Sequence, residues 1–186
     1  MNKKLSYLTM ILILVVVIAS CAIVEKQSKV LGVEGVRKPS WVDKTPTGED
    51  LYFETGYAKL ANKANSIKRA NAEGKEKISQ WISTTVENVV TNFTSDIGDE
   101  TDRTAIESYV SISKQTSNTA LVGVTQEEIW VDEEGGVWVL LSIPKDSVSK
   151  AFEKLDNDFK KSSEDVHAKY KMEEALKMLE EQLASF

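Results

Sequence analysis

One periodic stripe constrains this chain more than any other feature. Leu60, Ala64, Ile67, Gly74, Ile78, Trp81, Ile82, Thr85, Val89 and Phe93 recur at a spacing of about 3.6 residues and fall on one side of a helical wheel. Lys63, Lys68, Arg69, Glu73, Lys75, Glu76 and Lys77 occupy most of the rest. The pattern predicts a long amphipathic helix that begins at Asn62 and ends within residues 95–98. Gly74 costs about 1 kcal/mol relative to alanine in a helix interior, yet it sits on the apolar side. A glycine there calls for close packing against a sheet or another helix.

The helix has strands on either side of it in sequence. Residues 51–58, Leu-Tyr-Phe-Glu-Thr-Gly-Tyr-Ala, follow the turn-forming run Pro46-Thr47-Gly48-Glu49-Asp50 and read as a first strand. Gly56 inside it marks a bulge or a place where another backbone comes close. The clearest β signal is a hairpin: residues 121–131 and 137–143 are rich in β-branched and aromatic side chains and are joined by Asp132-Glu133-Glu134-Gly135-Gly136. Simple alternation places Val122, Val124, Gln126 and Glu128 on one side of the first arm and Leu121, Gly123, Thr125, Glu127, Ile129 and Val131 on the other. Pro144 ends the second arm, because proline cannot extend the ladder.

Between the long helix and the hairpin, Asp99-Glu100-Thr101-Asp102 forms a cap-rich turn, and Ile106, Tyr109, Val110 and Ser113 are spaced for a shorter helix. The run Tyr109-Val110-Ser111-Ile112-Ser113 fits an alternating strand equally well. After Pro144, Asp146 or Ser147 caps a helical region with an apolar stripe of Val148, Phe152, Leu155 and Phe159. A second stripe, Met172, Leu176, Leu179, Leu183 and Phe186, points more than about 90° away from the first. Ser162-Ser163-Glu164-Asp165 between them fits a capping box, so the region is either one kinked helix or two. The expected fold is α+β: a small antiparallel sheet of about three strands packed against a long amphipathic helix and further helices, with a helical C-terminal tail that folds back or meets a partner copy.

The N-terminus has a different character. Lys3 and Lys4 precede an apolar segment over residues 8–18, which closes on Val16-Val17-Ile18-Ala19-Ser20-Cys21. That segment is shorter than the roughly 20 residues that cross a hydrocarbon core, and it has the layout of a signal peptide. The run up to Cys21 resembles the lipobox of bacterial lipoproteins. The resemblance implies cleavage between Ser20 and Cys21, lipid such as palmitate on Cys21, and a membrane anchor. Two or three acyl chains hold a protein stably where one holds it only marginally. Ala22 is not an acidic residue of the kind that in enteric bacteria retains lipoproteins in the inner membrane, which favours the outer membrane. Residues 22–38 lack helical or strand periodicity and read as a tether, which if flexible spans on the order of 20–25 Å; the alternative is an edge strand over residues 30–36.

Charge and composition exclude several functions. The chain carries a net charge of -6, and loss of residues 1–20 would remove Lys3 and Lys4 and no acidic residue. An acidic surface repels phosphate backbones, and no basic stripe with interleaved aromatics occurs, so no nucleic-acid partner is expected. Cys21 is the single cysteine and His167 the single histidine. That leaves no ligand set for zinc and no Cys-His nucleophile pair. His167, among Asp165, Lys169 and Tyr170, reads as solvent-facing, and the glycines form neither a dinucleotide nor a phosphate-binding loop.

Pro39-Ser40-Trp41-Val42, Thr55-Gly56-Tyr57-Ala58, an alanine-dotted helix, Trp130-Val131-Asp132 and Gly135-Gly136-Val137-Trp138-Val139-Leu140 occur in that order behind the lipobox. Over residues 39–159 this resembles the twenty-kilodalton outer-membrane lipoprotein family, the Lpp-twenty-like group. More distantly it resembles the N-terminal domain of a flagellar basal-body assembly protein. The resemblance implies an α+β envelope domain without known catalytic residues. The tail after Ser163 and the acidic hairpin turn depart from the pattern.

The expected organisation is a signal peptide over 1–20, a lipidated N-terminus and tether over 21–38, an α+β domain over 39–161 and a helical extension over 162–186. No enzyme activity, cofactor or metal is expected. Asp132, Glu133, Glu134, Glu127 and Glu128 cluster near the hairpin, but general acids need burial to raise their pKa. Their spacing also lacks a calcium-loop pattern. Trp81 and Trp138 are expected in the core, with Trp41 and Trp130 partly exposed as recognition residues, since tryptophan anchors interfaces and stacks on glycans. The expected role is a non-catalytic envelope lipoprotein that binds a protein or cell-wall partner. The alternatives are a small-ligand or glycan-binding module, and self-association through the C-terminal helix.

Overall fold

Val137-Trp138-Val139-Leu140-Leu141-Ser142-Ile143 is apolar at every position but one, and such a run needs cover on both faces. The computed structural model, which describes residues 30–94, 114–162 and 166–186, makes it the middle strand of the sheet. The elements are β1 (Leu51–Ala58), α1 (Lys63–Thr94), β2 (Thr125–Val131), β3 (Val137–Pro144), α2 (Lys145–Ser162) and α3 (Val166–Ala184). Short 3-10 turns occupy Ser40–Val42 and Leu121–Gly123, and residues 114–120 are helical. The sheet is antiparallel with order β1-β3-β2. The architecture is α+β, as the periodicities imply.

Val137, Val139, Leu141 and Ile143 face α1. With Ala58 and Val131 they pack on Ala70, Ile78, Ile82, Val86 and Val89 of that helix and on Val148 and Phe152 of α2. Each such side chain contributes about 1.5–3 kcal/mol by leaving water. The helix starts where Asn62 accepts hydrogen bonds through Oδ1 from the amides of Ala64 (2.8 Å) and Asn65 (3.3 Å), satisfying donors that the first turn leaves unpaired. Leu60 and Ala64, assigned to the stripe on sequence, are exposed; Ser66, Ala70 and Val86 take buried places instead. The stripe drifts because 3.6 residues per turn is not an integer spacing.

Gly56 and Gly74 meet where α1 crosses β1. A Cβ on Gly56 would lie 1.9 Å from the Ala70 carbonyl oxygen and 2.8 Å from the Gly74 amide, and one on Gly74 would meet Leu141 at 2.7 Å. The close approach expected at both glycines is therefore a single contact between helix and strand.

The hairpin turn is Asp132–Gly136, with Asp132 N–H donating to the Gly136 carbonyl at 2.8 Å and Gly135 at φ +81°. The first arm departs from expectation. Its first residues form the 3-10 turn at Leu121–Gly123, so β2 begins only at Thr125. The pairing shifts between Gln126, opposite Leu141, and Glu128, opposite Leu140. Glu127 is the extra residue of a β-bulge, and an extra residue reverses the facing of everything beyond it. Gln126 consequently points to α1, where its Oε1 accepts from Asn71 at 2.8 Å. Glu128 lies on the opposite face, so the two do not share a side.

Two helices follow Pro144. α2 starts at Lys145, ahead of the expected caps, with Asp146 inside its first turn, and α3 starts at Val166. Ala175, Leu179 and Leu183 of α3 join the main core against α1 and α2. The 162–186 segment is thus part of the domain rather than an appendage. Leu179 and Leu183, expected either to fold back or to meet a partner, are buried within their own chain. The shorter helix or strand expected over 106–113 lies outside the described residues.

Residues 30–38 also differ from a tether. Leu31 and Arg37 form an antiparallel bridge, and the turn between them docks on β2. Gly32 is packed so closely there that a Cβ would lie 1.9 Å from the Val131 carbonyl oxygen, and Trp130 Nε1 donates to the Val36 carbonyl at 3.0 Å. The chain then crosses the sheet face opposite α1. On that face Trp41, Trp130 and Leu140 form a second core with Val42, Phe53 and Trp138.

Candidate functional site

A groove of about 590 Å³ opens at the end of the sheet where β1 begins and β3 stops. The sequence builds it by stopping β3 at Pro144 and starting α2 in the next residue. The Lys145 amide donates to the Asp50 carbonyl at 2.9 Å, which ties that junction to the start of β1. The C-terminal turn of α3 closes the third side with Glu180, Leu183 and Ala184. Glu49, Asp50, Asp146, Glu153 and Glu180 line the groove against Lys145 and Lys150. Lys150 is already paired with Asp146 at 2.5 Å, so the surface is acidic. All five carboxylates are exposed and Lys145 is buried. Solvated carboxylates are suited to steering a cationic surface, whereas proton transfer calls for groups displaced from their ordinary pKa by burial.

The carboxylates near the hairpin are engaged in the fold. Asp132 Oδ1 accepts from the amides of Glu134 (3.0 Å) and Gly136 (2.7 Å) and so shapes the turn. Glu134 pairs with Lys59 at 2.8 Å. Glu127 Oε1 accepts from the hydroxyls of Ser142 and Thr125, and these bonds, that of Ser142 first, hold its carboxyl below the ordinary value. Glu128 Oε2 accepts from Trp41 Nε1 at 2.7 Å across the sheet.

The two tryptophans expected to be partly exposed are the more deeply buried ones, and Trp81 and Trp138 pack against the two cores. Trp41 and Trp130 are only 5% and 4% exposed, while Trp81 and Trp138 are half-buried. Trp41 lies within the segment that covers Trp130, and each indole N–H has an internal acceptor, which satisfies the polar edge of a buried tryptophan. Trp81 stacks on Tyr52 with ring centroids 3.8 Å apart and meets Phe186 edge-on. Its Nε1 has no hydrogen-bond partner among the described residues. Burial, followed by the hydrogen bond to Glu54, raises the Tyr52 phenol above its usual range.

Ser20 and Cys21 lie outside the described residues. His167 falls within α3. Among the described residues no three histidine, cysteine or acidic side chains come together as a metal site, and no helix is long and apolar enough to cross a membrane. Sequence reasoning missed the groove. Glu49-Asp50 and Glu180 are visible as acidic residues, but no spacing relates the two segments. No protein-family model matches the chain, and no curated protein matches it.

Proposed function

We propose that this chain is a lipid-anchored lipoprotein of the bacterial envelope whose α+β domain binds a partner and performs no chemistry. The observation that carries the reading is the run Val16-Val17-Ile18-Ala19-Ser20-Cys21 behind Lys3, Lys4 and an apolar segment of signal-peptide length. The resemblance to the twenty-kilodalton outer-membrane lipoproteins fits it, and Ala22 favours the outer membrane. The domain supports a binding role in one respect: Glu127, Glu128, Asp132 and the buried tryptophans are committed to holding the fold. The acidic groove is the concave surface offered to an envelope partner with a basic face.

The test is the membrane fraction and intact mass of the wild type against Cys21→Ser. The wild type is expected in the membrane, beginning at Cys21 and heavier by its acyl chains, with the variant uncleaved and without lipid. Equal membrane retention of both without added mass would overturn the anchor. For the partner, crosslinking in cells should recover an adduct that charge reversal at Asp50 and Glu180 abolishes. Turnover of a substrate by the purified domain would overturn the binding role.

A further inference from the structure

The two ends of the sheet differ in a way that the anchor makes meaningful. At the hairpin end, opposite the groove, Leu31, Val33 and Val36 of the docked turn and Leu60 just beyond β1 are between 51% and 60% exposed. They belong to one end of the molecule. Val33 N–H donates to the Asp132 carbonyl of the hairpin turn, and Ala58, two residues before Leu60, is opposite Val137 at the first position of β3. Lys63 at the start of α1 pairs with Glu34 of the turn.

Charge separates the ends further. At the apolar end Lys63 pairs with Glu34, Lys59 with Glu134 and Lys38 with Asp43, and the hairpin turn adds the carboxylates of Asp132 and Glu133. The groove end sets five carboxylates against two ammonium groups. An anionic headgroup layer repels the second end more than the first, where most of the charge is paired. Interfacial binding grows with apolar area and with favourable charge, so both factors select the same end.

Chain length keeps the hairpin end within reach of the lipid. Nine residue steps separate Cys21 from Val30, and a fully extended chain covers at most about 3.3–3.6 Å per residue. In any conformation the docked turn therefore lies within about 30 Å of the lipidated residue. We infer that Leu31, Val33, Val36 and Leu60 rest on the bilayer surface and hold the acidic groove facing away from the membrane. This rests on the anchor reading above. The lipid supplies affinity, and the apolar end supplies orientation.

The test uses the full lipidated chain reconstituted in vesicles of phosphatidylethanolamine and phosphatidylglycerol with a share of doxyl-labelled lipid. Lipidation occupies the sulfur of Cys21, so a bimane can be placed on Val33→Cys or, as the control, on Val122→Cys. Val122 is 87% exposed, just before β2 and far from the hairpin turn. The bimane at position 33 is expected to lose most of its emission to the doxyl groups, and the one at 122 to keep it. Equal emission at both positions, with the chain beginning at Cys21 and carrying its acyl mass, would overturn the orientation while leaving the anchor intact. A disulfide between two Val33→Cys chains without quenching would assign this end to a second copy and also overturn it. A wild-type chain that carries no acyl mass would overturn the anchor reading and the orientation with it.

Discussion

The two faces of the sheet are covered by different means. On one, a 32-residue helix lies on alternate residues of β1 and β3, with Gly56 and Gly74 letting the backbones meet. On the other, an irregular segment beginning with the docked turn is held by two tryptophans whose indole N–H groups reach Glu128 and Val36. The first depends on close packing of regular elements, and the second on a few directed hydrogen bonds around a small apolar cluster. Irregular cover is adequate for three narrow strands, but it gives each of its contacts a larger share of the work.

That contrast is tested most strongly at Gly56. Gly56→Ala drives a methyl into the Ala70 carbonyl with no side chain able to yield. The expected loss is about 4 kcal/mol, beyond the usual cost of overpacking, or failure to fold; urea denaturation measures it. Trp41→Ala is expected to cost about 3 kcal/mol, less than Gly56→Ala, because the second cluster is smaller. Equal losses would show that the two faces contribute alike. Gly32→Ala should cost about 1–2 kcal/mol through the Trp130 bond and the turn it strips from β2. Amide exchange should then speed up at Gly32 and Lys38, whose N–H groups close the turn, while amides on the α1 face keep their protection.

The smallest effect is at the bulge. Glu127 titrates below its ordinary value of 4.5 in the folded chain. Its contribution to stability is therefore fully present above that value and is lost as pH falls through the lowered one. Glu127→Gln should leave stability near pH 7 little changed and flatten the decline below pH 4.5 in thermal melts. A variant as acid-sensitive as the wild type would assign that decline to other carboxylates.

The helical face was largely legible beforehand. Ile78, Ile82, Thr85 and Val89 announce α1 by spacing alone, and Gly74 on their side points to the contact with Gly56. β3 was legible as a continuous apolar run ended by Pro144. The other face was not, because nothing local tells a tryptophan which way it points. The burial of Trp41 depends on Glu128 and that of Trp130 on the docked turn at Val36, and each partner is distant along the chain. Glu127 concealed the bulge for the same reason: alternation presumes that every residue has an opposite number. The groove joins the start of β1 to the end of α3, two segments that no periodicity relates.

By itself, the sequence determined the elements that carry their own repeat and the α+β class. These depend on neighbours within a few turns or a few residues, where spacing and side-chain type are sufficient. Tertiary structure alone decided which tryptophans are interior, that residues 30–38 dock instead of trailing, and that α3 closes the core. Each of those is a competition between burying a segment and leaving it in water. The outcome depends on whether distant residues present a matching surface and a hydrogen-bond acceptor at the right place.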